Sequence, residues 1–126
     1  MSEITKLLKD LPPKEIPFSF KEVGSKTKIE YEGNFVIKVP SMKDQSRIGV
    51  ELAKLGMGMS YNQLDEATAM LNNAIATLSV VVIEAPNWFT QEMEFGLNTI
   101  DINIPLKLYS KVSELLDKWP NLDEKR

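Results

Sequence analysis

The stretch SYNQLDEATAMLNNAIATLSVVVIEAP, residues 60–86, decides how the rest of the chain can fold. Leu64, Ala67, Met70, Leu71, Ala74, Ile75, Leu78, Val81 and Val82 recur at intervals of three and four, the spacing of one face of an α-helix. Ser60 or Asn62 is placed to cap the first amides, and Asp65 and Glu66 sit where the positive helix end favours carboxylates. Pro86 disfavours the α conformation at Ala85 and closes the element. One ambiguity lies in Val80, Val81, Val82 and Ile83, which suit a buried strand equally well. The three-four phase passes through them unbroken and predicts one long central helix. At about 25 residues it would be roughly 37 Å long, with everything else packed along it. Leu71 and Ile75, mid-helix with apolar neighbours on both sides, are expected at the centre of the core.

Upstream, the apolar positions alternate. Ile16, Phe18 and Phe20 in residues 16–23, Ile29 and Tyr31 in 28–32, and Phe35, Ile37 and Val39 in 35–39 read as three half-buried strands. Gly33-Asn34 between the last two has the composition of a tight hairpin turn. Ser41 with Asp44 three residues later resembles a capping box opening a helix to about Leu55, which would bury Ile48, Leu52 and Leu55. Gly49 on that side predicts close approach of a neighbour, and Gly56 and Gly58 end the helix. Downstream, residues 87–102 carry Trp88, Phe89, Met93 and Phe95 without a regular period and read as a loop with one turn of helix. The last helix spans residues 104–119, capped by Asn103, with Leu106, Tyr109, Val112, Leu116 and Trp119 as its stripe. At the other end, residues 2–11 form a short helix with Ile4, Leu7, Leu8 and Leu11 on one face, stopped by Pro12 and Pro13.

The expected fold class is therefore α+β: a small antiparallel sheet near the N-terminus on a mainly helical core. A single domain fills residues 1–126, divided into an N-terminal arm (1–15), the sheet (16–40), the helical part (41–119) and a flexible tail (120–126). The 43% of hydrophobic residues supports a modest core. The longest apolar run is too short to span a bilayer and the N-terminus lacks a signal peptide's order, so a soluble intracellular protein with no membrane contact is expected. Net charge is −3, which argues against nucleic acid as a partner. The charges are uneven. No Lys or Arg lies between Lys54 and Lys107, while Asp65, Glu66, Glu84, Glu92, Glu94 and Asp101 do. Surfaces of opposite sign predict head-to-tail self-association into a ring or helix.

Chemistry finds little footing. Without cysteine or histidine there is no thiolate, no disulfide and no imidazole base or metal ligand. Gly56-Met57-Gly58 has dinucleotide-loop spacing, but no strand precedes it and Tyr61 stands where a third glycine belongs. Glu92, Glu94 and Asp101, with Asn98 and Asn103, match no calcium loop and read as a solvated acidic loop. Glu84, after an apolar run, would need Arg47 or Lys43 as a partner if buried. No catalytic residue, cofactor site or metal site is expected. Trp88 and Phe89 have two readings, the lid of the core or an aromatic anchor for a partner. With Met93 and Phe95 they are the candidate partner-binding residues, because so many large apolar groups without a period do not all fit inward.

The order of these motifs resembles the tail assembly chaperones of long-tailed bacteriophages. Pro40-Ser41 followed by Asp44-Gln45-Ser46-Arg47-Ile48-Gly49, then a long Ala/Leu-rich helix ending in Val82-Ile83-Glu84-Ala85-Pro86-Asn87-Trp88, then a closing helix with Leu108-Tyr109, carries the resemblance over residues 18–119. The resemblance implies a small non-enzymatic protein of the host cytoplasm that coats the tape measure protein before the tail tube assembles. It also implies possible contact with the tail tube protein, a longer frameshifted form, and absence from the mature virion. The rival expectation is a structural virion component, such as a tail-completion or head-tail joining protein, and a metal-dependent enzyme comes third.

Overall fold

The computed structural model describes residues 2–57 and 65–121. Ser60, Asn62, Leu64 and residues 122–126, part of the expected tail, lie outside the described residues. Strands β1 (Glu15–Val23) and β2 (Glu30–Lys38) pair antiparallel in unbroken register, from Glu15 opposite Lys38 to Val23 opposite Glu30. The hairpin expected at Gly33-Asn34 does not form, and β2 runs straight through both residues, opposite Phe20 and Ser19. Gly33 serves a close approach instead: a Cβ there would stand 2.6 Å from Cγ of Pro86. The chain reverses in residues 24–29, where the Gly24 amide donates to the Ile29 carbonyl at 2.8 Å and the Lys28 amide to the Gly24 carbonyl at 3.1 Å. Lys28 takes the left-handed conformation, φ 64°.

The third strand comes from the far side of the sequence. Helix α3 (Glu66–Val81) is capped by Asp65, whose carboxylate accepts from the Thr68 amide at 2.7 Å. Its 16 residues span roughly 24 Å, and the long central helix expected through residue 84 is not what the chain builds. At Val82 the backbone turns extended (φ −79°, ψ 115°), and β3 (Val82–Glu84) pairs antiparallel with β2, Val82 opposite Ile37 and Glu84 opposite Val36. The physical reason is that β2 has a second edge of unpaired backbone groups, and a β-branched run satisfies it better than one more helical turn. Sheet order is β1-β2-β3, so the fold is α+β with a three-stranded antiparallel sheet.

One face of that sheet is the core. Ile16 and Phe20 of β1 and Phe35 and Ile37 of β2 meet Leu78 and Val81 of α3, Val82, and Ile104, Leu108 and Val112 of helix α4 (Asn103–Lys118). Each such side chain contributes roughly 1.5–3 kcal/mol by leaving water. The centre therefore lies at the end of α3. Leu71 is only half-buried and Met70 points outward, while Ile75 is buried near Gly96 and Pro105.

Helix α2 (Met42–Leu55) leans on α3 with Ile48, Leu52 and Leu55 half-buried. Its capping box forms as expected: the Ser41 hydroxyl accepts from the Asp44 amide at 3.2 Å and the Asp44 carboxylate accepts from the Ser41 amide at 2.9 Å. The Ser41 amide, with the Lys38 ammonium 3.0 Å away, holds the Asp44 carboxyl down at about 2. Gly49, expected to admit a neighbour, has open space at its Cβ position. Glu84 stands exposed on β3 and needs no buried partner from Arg47 or Lys43. Helix α1 (Glu3–Lys9), capped by Ser2, buries none of its residues.

Candidate interaction surfaces

After Pro86 the chain makes a π-helical turn (Trp88–Glu92) and a 3-10 turn (Glu94–Gly96), with φ of 49° at Glu94, 59° at Phe95 and 108° at Gly96. This path decides the fate of the four residues expected on the partner surface. Phe89 is 0% and Met93 5% exposed, and Trp88 and Phe95 are half-buried against the same cluster. Phe35 is the hub, with ring centroids 5.5 Å from Phe18, 6.0 Å from Phe20, 5.8 Å from Trp88 and 5.5 Å from Phe89. Phe95 closes the group 5.4 Å from Phe89. The indole N–H of Trp88 donates to the Glu32 carbonyl at 3.0 Å, satisfying the polar end of a mostly apolar ring. Trp88, Phe89, Met93 and Phe95 are the lid of the core. A backbone that changes helix type and passes through left-handed residues turns these aperiodic side chains toward the core together, while Trp88 and Met93 also line an open hollow.

The acidic loop is not uniformly solvated either. Asp101 is fully buried. Its Oδ1 accepts from the amides of Lys26 at 2.8 Å and Thr27 at 3.0 Å, and its Oδ2 from the Thr27 hydroxyl and from Tyr31 Oη at 3.0 Å. These donors, the Thr27 hydroxyl foremost, hold the carboxyl down at about 2, and burial pushes the Tyr31 phenol up. Asn103, expected as the cap of α4, lies in its first turn and reaches across instead. Its Oδ1 accepts from the Ser25 amide and its Nδ2 donates to the Val23 carbonyl, both at 3.0 Å. A Cβ on Gly24 would run into the Asp101 carboxylate. Asp101 and Asn103 thus latch the β1-β2 turn onto the start of α4. With its oxygens directed at two turn amides, the Thr27 hydroxyl and the Tyr31 phenol of β2, Asp101 ties the turn and β2 to the segment before α4. Sequence reasoning missed the latch because its halves lie more than 70 residues apart and neither half has a local signature. Among the described residues no three His, Cys, Asp or Glu side chains gather where a metal could sit.

Among the described residues, three surface features remain open to solvent. Helix α1 presents Ile4, Leu7 and Leu8, 70%, 59% and 59% exposed. Its root is fixed, since Nε1 of Trp119 donates to the Pro13 carbonyl at 3.0 Å and the Val39 amide to the Lys14 carbonyl at 2.7 Å. A groove of about 440 Å³ runs between α2, α3 and α4, lined by Val39, Pro40, Ile48, Tyr109 and Leu116 and equally by the polar Gln45, Asn73, Thr77, Ser113 and Asp117. At the turn end, Ile29, Tyr31, Trp88, Met93 and Ile100 line a hollow of about 310 Å³ together with Thr27, Glu92, Asn98 and Thr99. Among the described residues no helix is long and apolar enough to cross a membrane. Compared with family models, with curated proteins and with solved structures, the chain finds no match.

Proposed function

We propose that this protein is a tail assembly chaperone of a long-tailed bacteriophage, a binding protein without catalysis that keeps the tape measure protein soluble in the host cytoplasm until the tail tube closes around it. The motif order over residues 18–119 supports the family. The observation that carries the mechanism is the groove between α2, α3 and α4, where Val39, Ile48 and Leu116 stand among the polar side chains of Gln45, Asn73, Thr77, Ser113 and Asp117. A long amphipathic helix can lay its apolar face there and keep its polar face wet, the usual helix-in-groove mode. The exposed methionines Met42 on α2 and Met70 on α3 offer adaptable apolar surface for a client whose sequence varies along its length.

Co-expression with the tape measure protein and capture of the complex tests the reading. Ile48→Glu with Leu116→Glu, both half-buried on the groove floor, should abolish capture and leave the tape measure protein insoluble. Capture indifferent to both changes would remove the groove from the mechanism. Finding the chain in purified particles would overturn the chaperone reading in favour of a structural virion component.

A further inference from the structure

We infer that the groove between α2, α3 and α4 selects its client helix by uncharged hydrogen-bonding side chains in the helix's buried stripe, with a lysine or arginine beside them. The selection presupposes the helix-in-groove mode proposed above and holds whichever protein supplies the helix. Gln45, Asn73, Thr77, Ser113 and the Tyr109 hydroxyl all face the groove. Asn73 and Thr77 stand about one turn apart on α3, as Tyr109 and Ser113 do on α4, so each of these helices presents a polar pair. The pairs meet once. Asn73 Nδ2 donates to Tyr109 Oη at 3.1 Å, which leaves the Asn73 carbonyl oxygen and the Tyr109 hydroxyl proton without a protein partner among the described residues. No side-chain oxygen or nitrogen among those residues is buried without a partner, so water reaches both groups in the free protein.

A helix that covers these groups must replace that water. A stripe of leucine and isoleucine alone leaves them unpaired, at a cost of about tenfold in affinity for each. Glutamine, asparagine, serine or threonine in the stripe brings a donor and an acceptor together, which suits lining groups that also do both. Charge narrows the partner further. Asp117 is the one charged residue lining the groove among the described residues, and α3 has no Lys or Arg along its length. A cation beside the stripe is therefore attracted and a carboxylate there repelled.

Designed amphipathic peptides, titrated against the full chain by calorimetry, test this. One peptide has an all-leucine stripe flanked by lysines, a second has glutamine at two of the stripe positions, and a third is the second with its lysines exchanged for glutamates. The glutamine peptide should bind at least about tenfold tighter than its leucine twin, and the glutamate form should bind several-fold more weakly, most clearly at low salt. Asn73→Leu with Thr77→Val removes the polar pair of α3 at nearly constant size and should reverse the order of the first two peptides. Tyr109→Phe with Ser113→Ala should erase the preference from the other wall, so the outcome does not hang on one variant folding. Equal binding of the two stripes, tighter binding of the leucine peptide, a preference that both variants leave intact, or no binding of any peptide at millimolar concentration would overturn the inference. Capture of the tape measure protein that Ile48→Glu with Leu116→Glu abolishes, alongside any of those results, would leave the groove its client and remove only the polar selection. Capture indifferent to that pair would remove both.

Discussion

The two ends of the β1-β2 hairpin are built on opposite principles. At the turn end, Asp101 and Asn103 satisfy the turn's amides and a carbonyl from across the fold, and Gly24 leaves them no slack. At the open end, two backbone carbonyls hold the root of an arm whose apolar side chains touch no core. A buried carboxylate needs all its donors at once, so one end is rigid by necessity. An exposed amphipathic helix of seven residues is marginal alone and gains its order from whatever covers it. Rigidity is spent where the molecule must hold shape, and the apolar surface left over is where it can bind.

This contrast can be broken by substitution, starting where the effect is largest. Phe35→Ala and Phe89→Ala, at the hub of the aromatic cluster, should each cost about 3–5 kcal/mol in urea melts. A loss under 1 kcal/mol at Phe89 would return the 88–95 segment to the surface. Leu78→Ala should cost about 2–5 kcal/mol and Leu71→Ala clearly less, since only Leu78 is fully enclosed. Gly24→Ala forces a methyl group onto the Asp101 carboxylate and should cost about 1–3 kcal/mol, with amide exchange in residues 24–29 accelerated more than elsewhere.

The latch also predicts a pH dependence. The Asp101 carboxyl sits at about 2 in the folded protein, below its ordinary 3.8, so the folded state binds the proton more weakly than the unfolded state. Its stabilising contribution is complete above pH 4 and fades as pH falls toward 2. Asp101→Asn should lower the melting temperature at neutral pH and flatten the acid limb between pH 4 and 2; an unchanged slope there would assign the acid sensitivity to Asp44 instead. The smallest effect belongs to the arm. Ile4→Ser, Leu7→Ser and Leu8→Ser together should shift the stability of the isolated monomer by no more than about 0.5 kcal/mol per site.

What could be read from the sequence was what physics keeps local. The capping box of Ser41 and Asp44 spans three residues, and the alternation of Ile16, Phe20, Phe35 and Ile37 is a property of each strand by itself; both appear as expected. The turn was misplaced because glycine before asparagine is favoured in tight hairpins, while at Gly33 the missing side chain makes room for Pro86, 53 residues on. The end of α3 was misplaced for a related reason. Val82 satisfies the helical period and strand propensity equally, and the edge of β2 that decides between them is a tertiary fact. The packing of the aromatic segment was not legible because its irregular period is that of its backbone, which changes helix type and passes through left-handed residues. Asp101, Thr27 and Tyr31 are unremarkable singly and become a site only when the fold joins them.

The two indoles, finally, divide the molecule optically. The chain has only two tryptophans, and their N–H groups end on carbonyls in different regions, Trp88 on Glu32 beside the aromatic cluster and Trp119 on Pro13 at the arm's root. Trp88→Phe would leave a lone emitter whose wavelength and quenching report the arm, and Trp119→Phe one that reports the lid and the hollow beside it. The lid and the root of the arm then become two separate signals of the same protein, readable without attaching any dye.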